Sequence, residues 1–124
     1  MRRIRCFTNL LMLFTGSAMA QDALPKFMKE NYQKYEYRIP MRDGIKLFAT
    51  VYVPKDASET NTYPIVMERT CYSVAPYGEN NYAGLLGYSE TMCREKYIFV
   101  HQDVRGRYMS EGRWTNMTPH IPNK

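Results

Sequence analysis

The stretch "YEYRIPMRDGIKLFATVYVP", residues 35 to 54, decides how this chain begins to fold. Two runs rich in β-formers flank Arg42-Asp43-Gly44, and Asp-Gly between such runs is a strong hairpin signal because glycine accepts the positive φ of a tight turn. Tyr35, Tyr37 and Ile39 share one face of the first run. Ile45, Leu47 or Phe48, Val51 and Val53 are the apolar positions of the second, and Pro54 closes it.

Downstream, residues 57–64 are polar and read as a surface loop. "PIVMER" follows, a short continuous apolar run that predicts a buried, central strand. Residues 79–96, "ENNYAGLLGYSETMCREK", place Tyr82, Leu85, Leu86 and Met92 at spacings compatible with a helix weakened by Gly84 and Gly87. "YIFVHQDV" is the next buried strand, aromatic and β-branched. The order strand, strand, loop, strand, helix, strand predicts an α/β chain: a mixed sheet that opens with an antiparallel hairpin and turns parallel. A sheet with a single crossover helix leaves one face uncovered, so the chain reads as the first part of a larger domain.

Upstream, "MRRIRCFTNLLMLFTGSAMAQD" has a basic start (Arg2, Arg3, Arg5), a short apolar stretch and Ala18-Met19-Ala20, the pattern of a secretory signal peptide cleaved between Ala20 and Gln21. The expected domains are therefore residues 1–20, the signal, and residues 21–124, the mature portion. A transmembrane helix is the poorer reading, because Thr8, Asn9 and Thr15 interrupt a run shorter than the ~20 residues that span a bilayer. Cys6 precedes the apolar stretch instead of standing at the cleavage point, which favours a soluble exported protein, periplasmic or secreted, with no stable membrane anchor. "QDALPKFMKENYQK" then suggests a short helix or a loosely held arm.

The chain of 124 residues carries a net charge of +5, but three of its seventeen Lys and Arg residues lie in the signal. Fourteen basic residues against twelve acidic ones leave +2, with no basic cluster to track phosphates, so nucleic acid is not an expected partner. Cys71 and Cys93 remain after cleavage; export permits a disulfide between them, and two small buried thiols are the alternative. Two distant cysteines and two scattered histidines offer no metal-ligand set, and no cofactor is implied.

The segments "MRDGIKLFATVYVP", "PIVMERTCYSVAPYG" and "YIFVHQDVRGRYMSEG" together closely resemble the N-terminal part of exported serine hydrolases that include α-amino-acid ester hydrolases, cocaine esterase and X-Pro dipeptidyl-peptidases. The resemblance covers roughly residues 35–124. It implies the N-terminal portion of an α/β-hydrolase catalytic domain that cleaves an ester or amide of a small substrate with a Ser-His-Asp triad. In that fold the nucleophile occupies G-x-S-x-G on a strand-to-helix elbow, followed in the chain by acid and then histidine, so all three are expected beyond residue 124.

The residues present agree with that placement. "GYSET", residues 87–91, lacks the second glycine and does not follow a strand, so Ser89 reads as an ordinary helix serine. His101 precedes the nucleophile's expected position and reads as a strand histidine, and His120 as a loop residue. Tyr72 differs: the resemblance makes the hydroxyl of R-T-x-Y an oxyanion-hole donor, and a phenol is a neutral O–H donor at neutral pH. Many relatives have proline where this chain has Cys71, and proline would fix the backbone before the tyrosine. Asp103 and Arg105 are expected to bond loop backbone and each other, Gly106 and Gly112 to permit turns, and Ser110 to cap one. Tyr108 and Trp114 are candidate pocket aromatics, and Asn116-Met117-Thr118 matches a glycosylation acceptor of consequence only in a eukaryotic secretory route. The alternative to an enzyme piece is a truncated, non-catalytic remnant or a small exported binding module.

Overall fold

The computed structural model describes residues 23–116 with the exception of Tyr88. The expected signal peptide with Cys6, the cleavage point, His120 and two residues of the Asn116 acceptor motif lie outside the described residues. Helix α1 (Ala23–Asn31) leads directly into strand β1 (Tyr32–Pro40), so the segment that read as helix or arm is a helix. Pro25 is tolerated because the first turn of a helix needs no amide donors. Strand β2 (Lys46–Pro54) returns antiparallel to β1, with Tyr32 opposite Pro54 and Pro40 opposite Lys46. Gly44 has φ +82° and its amide bonds the Met41 carbonyl at 2.9 Å, which closes the predicted turn.

Strands β3 (Ile65–Thr70) and β4 (Ile98–Asp103) complete a sheet of order β1-β2-β4-β3. β2 is antiparallel to β4, and β4 is parallel to β3. The expected mixed topology is present. The burial expected of "PIVMER" is not: β3 is an edge strand here, with Ile65 66 % and Met67 54 % exposed. Burial of an apolar strand needs cover on both faces and a neighbour on both edges, and among the described residues β3 has a partner only in β4.

Pleating divides the sheet into two unlike faces. Tyr35, Tyr37 and Ile39 lie opposite Val51, Ala49 and Leu47, and their face continues through Val100 to Met67. The three β1 residues remain between 37 and 49 % exposed, so the alternation was read correctly but belongs to the face left largely uncovered, although Leu47 and Ala49 of β2 are buried on it. The opposite face carries Tyr32, Tyr52 and Phe99, packed with Met28, Leu86 and Cys93 into the core. Tyr32 closes this core by donating its hydroxyl to the Cys93 carbonyl at 2.9 Å.

Over that covered face runs a long connection, residues 71–89, where a longer helix was expected. Helix α2 spans only Glu90–Arg94. Gly87 has φ +66°, and a Cβ there would stand 2.6 Å from the Phe99 ring, so this turn must leave helical geometry to fit over the core. Ser89 is accordingly the N-cap and not an interior helix serine: its side chain accepts the Met92 amide. No helix among the described residues is long and apolar enough to cross a membrane.

Candidate active site

The parallel strands β3 and β4 bring Thr70 and Asp103 side by side at their carboxyl ends. In open α/β sheets ligands gather outside the carboxyl ends of strands. Tyr72 stands there, 83 % exposed, two residues past β3. Its backbone is held while its side chain is free. The Tyr72 amide donates to Thr70 Oγ1 at 3.0 Å, and the Cys71 carbonyl accepts from Arg107 Nε at 3.2 Å. Arg107 is itself fixed by two aromatic rings, with its guanidinium carbon 5.2 Å from the Tyr108 centroid and 5.5 Å from that of Trp114. The freedom that cysteine gives this turn relative to proline is thus offset by a guanidinium on its carbonyl. Tyr108 and Trp114 brace that guanidinium, and neither lines the cavity bounded by Thr50, Tyr52, Val74 and His101.

The residue after Tyr72 is strained. Ser73 has φ +96°, a conformation that costs a non-glycine residue about 1–3 kcal/mol and persists only when surroundings enforce it. Its hydroxyl accepts the Ala75 amide at 3.2 Å and meets the Tyr77 hydroxyl at 2.9 Å. Tyr77 in turn donates to Asp103 Oδ2 at 3.0 Å, so Ser73 is the donor of its pair with Tyr77. Burial, the largest influence, raises the Tyr77 pKa above its ordinary 10.0.

Asp103 is the hub of this arrangement. Fully buried, its carboxylate accepts the Val74 amide at 3.1 Å, the Tyr77 hydroxyl and the Met109 amide at 3.4 Å. Ser110 Oγ donates to the Asp103 carbonyl at 2.6 Å and accepts the Phe48 amide at 2.8 Å, which ties the loop after β4 to β2. The expected bonds from Asp103 to loop backbone are present. The expected Asp103–Arg105 pair is not: Arg105 lies on the far side of the turn and pairs with Asp43 at 2.8 Å, holding that carboxyl below its ordinary 3.8.

A second polar array crosses the covered face. Glu36 pairs in register with Thr50, Thr50 with His101, and His101 with Glu68, one residue from each strand. His101 Nδ1 lies 3.5 Å from Glu68 Oε2. Burial nevertheless lowers the His101 pKa below its ordinary 6.5, with Glu68 opposing the shift. An imidazole kept neutral by folding charges more readily in the unfolded chain. Stability is therefore lost as pH falls below about 6.5 and the loss levels off under the folded value. The melting temperature is expected to drop as the pH falls through about 6.5. A His101→Gln variant should flatten that segment, and an unchanged slope in the variant would show that other groups cause it.

Chemically, the described residues offer an exposed phenol on a rigid turn but no activated nucleophile. No serine or threonine hydroxyl donates to a histidine among them, and Ser73, Ser89 and Ser110 are engaged in backbone or side-chain bonds. Cys71 and Cys93 are free thiols, the latter donating to the Leu86 carbonyl at 3.2 Å, with burial raising its pKa above 9.0.

Solved structures that share this architecture include two hydrolases. An α-amino acid ester hydrolase labelled with selenomethionine matches 81 % of this chain at 34 % identity, with a TM-score of 0.58. An aminopeptidase from the marine sediment archaeon Thaumarchaeota archaeon matches 90 % at 29 % identity, also with a TM-score of 0.58. The chain spans only 17 % of the length of either protein, and its fold is the N-terminal part of an α/β hydrolase. No curated protein sequence matches it. Residues 43–122 match the family model of the X-Pro dipeptidyl-peptidases, S15 family, over more than half of the sequence, and the chain belongs to that family of hydrolases.

Proposed function

We propose that this chain supplies the first part of the catalytic domain of an exported serine hydrolase, with Tyr72 as an oxyanion-hole donor. The bond cleaved is an ester or amide of a small substrate, of the α-amino-acid ester or X-Pro dipeptidyl-peptidase type. Serine, aspartate and histidine are contributed by residues beyond 124, and residues 1–20 direct export. The observation that carries the reading is the contrast at Tyr72: a backbone clamped by Thr70 and Arg107 and a hydroxyl left free at the carboxyl end of β3. A clamped backbone narrows the positions the phenol can reach, which reduces the reorganisation needed when charge develops on a tetrahedral oxyanion. The uncovered sheet face and the open edge of β3 agree with a larger catalytic domain packing there.

A donor without nucleophile or base has no route to an acyl-enzyme. The 124-residue chain alone is therefore expected to show no stoichiometric labelling by a fluorophosphonate, whereas the complete hydrolase is labelled at a single serine. Stoichiometric labelling of the short chain would place the nucleophile within it and overturn this assignment.

A further inference from the structure

Ser73 has the most unusual backbone of the turn that carries Tyr72. Its φ of +96° lies past the left-handed helical region near about +57°, where glycine alone moves freely. Strain of this kind persists only where the surroundings over-determine the backbone, and an outlier beside a reacting group calls for a functional account.

The surroundings that enforce it converge on one buried carboxylate. Asp103 reaches the strained residue twice: Oδ1 accepts the Val74 amide at 3.1 Å, and Oδ2 accepts the Tyr77 hydroxyl at 3.0 Å. The single Tyr77 proton is committed to Asp103, so the Tyr77 oxygen accepts from Ser73 Oγ at 2.9 Å. A lone pair of Ser73 Oγ is left for the Ala75 amide at 3.2 Å. Each hydroxyl proton of the chain thus has one acceptor, and only this direction gives the carboxylate a donor. The Tyr77 ring is held by edge-on packing against buried Phe48, with centroids 5.4 Å apart. Burial raises the Tyr77 pKa above 10.0, which keeps the phenol protonated and the direction of the chain constant around neutral pH.

Rotation about the N–Cα bond of Ser73 swings Tyr72 relative to all that follows. The Tyr72 side chain, 83 % exposed, adds little packing to oppose that swing. We propose that Tyr77 is a positioning residue for hydrolysis: through Ser73 it holds the strained turn that aims the Tyr72 hydroxyl. Thr70 and Arg107 secure the chain before Tyr72, and Tyr77 and Asp103 secure it after. The inference rests on the oxyanion role proposed for Tyr72 and extends it to a residue that acts only through its neighbours.

The test uses the complete hydrolase and reads kcat, KM and melting temperature. Tyr77→Phe deletes one oxygen and leaves the ring on Phe48 and the Val74 and Met109 amides on Asp103. It should lower kcat about tenfold with little change in KM, since a small misplacement of a reacting group costs up to ~10²-fold. Added to Tyr72→Phe, the same change should lower kcat no further, because no phenol is left to aim; a general structural loss would multiply instead. Ser73→Ala reaches the same turn without touching the Tyr77–Asp103 bond, so the test stands even if Tyr77→Phe folds poorly. Alanine strains at this φ and should lower kcat about tenfold, whereas Ser73→Gly adopts it freely and should stay close to the parent. Parental kcat in Tyr72→Phe would remove the oxyanion role and this inference with it. A loss in Tyr72→Phe joined by parental kcat in Tyr77→Phe, by multiplying losses in the double variant, or by equal kcat in Ser73→Ala and Ser73→Gly would overturn the positioning role alone.

Discussion

Replacing Tyr72 by phenylalanine in the complete hydrolase is expected to lower kcat by on the order of 10²-fold, the effect of deleting one oxyanion-hole donor. The substitution removes a single oxygen from a side chain that is 83 % exposed and touches no core residue, so the melting temperature should stay within experimental error. The backbone bonds from Thr70 and Arg107 do not involve the ring and survive it. If the hydroxyl acts only when charge appears on the carbonyl oxygen, kcat and kcat/KM fall together and KM changes little. A rise in KM at constant kcat would instead mean that the phenol binds ground-state substrate. Unchanged kinetics would reduce Tyr72 to an exposed loop aromatic and remove the main support for the proposed role.

The parts of this fold that were legible in the sequence are those set by local chemistry. Asp43-Gly44 sets the hairpin because its signal is a backbone φ that few residues besides glycine adopt. β4 reads as buried from its aromatic and β-branched run, and Phe99 is fully buried with β2 and β3 flanking both edges of the strand. The illegible parts depend on partners remote in sequence. β3 reads as buried from Ile65, Val66 and Met67 alone, but burial belongs to what packs on it. Residues 79–96 have helix-compatible spacing, yet the close approach of Gly87 to Phe99 sets a turn there.

At the candidate site the same division holds. The resemblance pointed to Tyr72, but the residues that clamp it were not foreseen. Arg107 acts across 36 residues on a backbone carbonyl, and carbonyls leave no trace in residue type. A signal was available in hindsight, an arginine flanked by Tyr108 with Trp114 close behind. The Asp103–Arg105 expectation failed because neighbours in sequence at a strand end point in different directions: Asp103 into the covered face, Arg105 toward the hairpin turn.

Lys34 is the furthest of all from a sequence-level reading, and Lys34→Met should have the largest effect on stability. In sequence it is one of two polar residues between Tyr32 and Tyr35; in the structure it is fully buried. Its ammonium lies 2.9 Å from Glu36 Oε1, 2.6 Å from the Pro76 carbonyl, 2.9 Å from that of Gly78 and 3.0 Å from that of Asn81. Three N–H donors thus serve four acceptors, and the same Glu36 oxygen accepts the Gly78 amide at 2.6 Å. One cation and one carboxylate thereby tie β1 to the connection that follows β3. Methionine fills the space of the aliphatic stem but leaves a carboxylate and three carbonyls without their donor. Breaking a buried pair from one side costs about 3–5 kcal/mol. At roughly 4–8 °C per kcal/mol for a domain of this size, the melting temperature should fall by at least ~12 °C. The double variant Lys34→Met/Glu36→Gln removes the stranded charge and should regain part of the loss, since residues of one network do not contribute additively. A single variant melting within about 4 °C of the parent, or a double variant no better than the single, would mean that water replaces the ammonium at little cost.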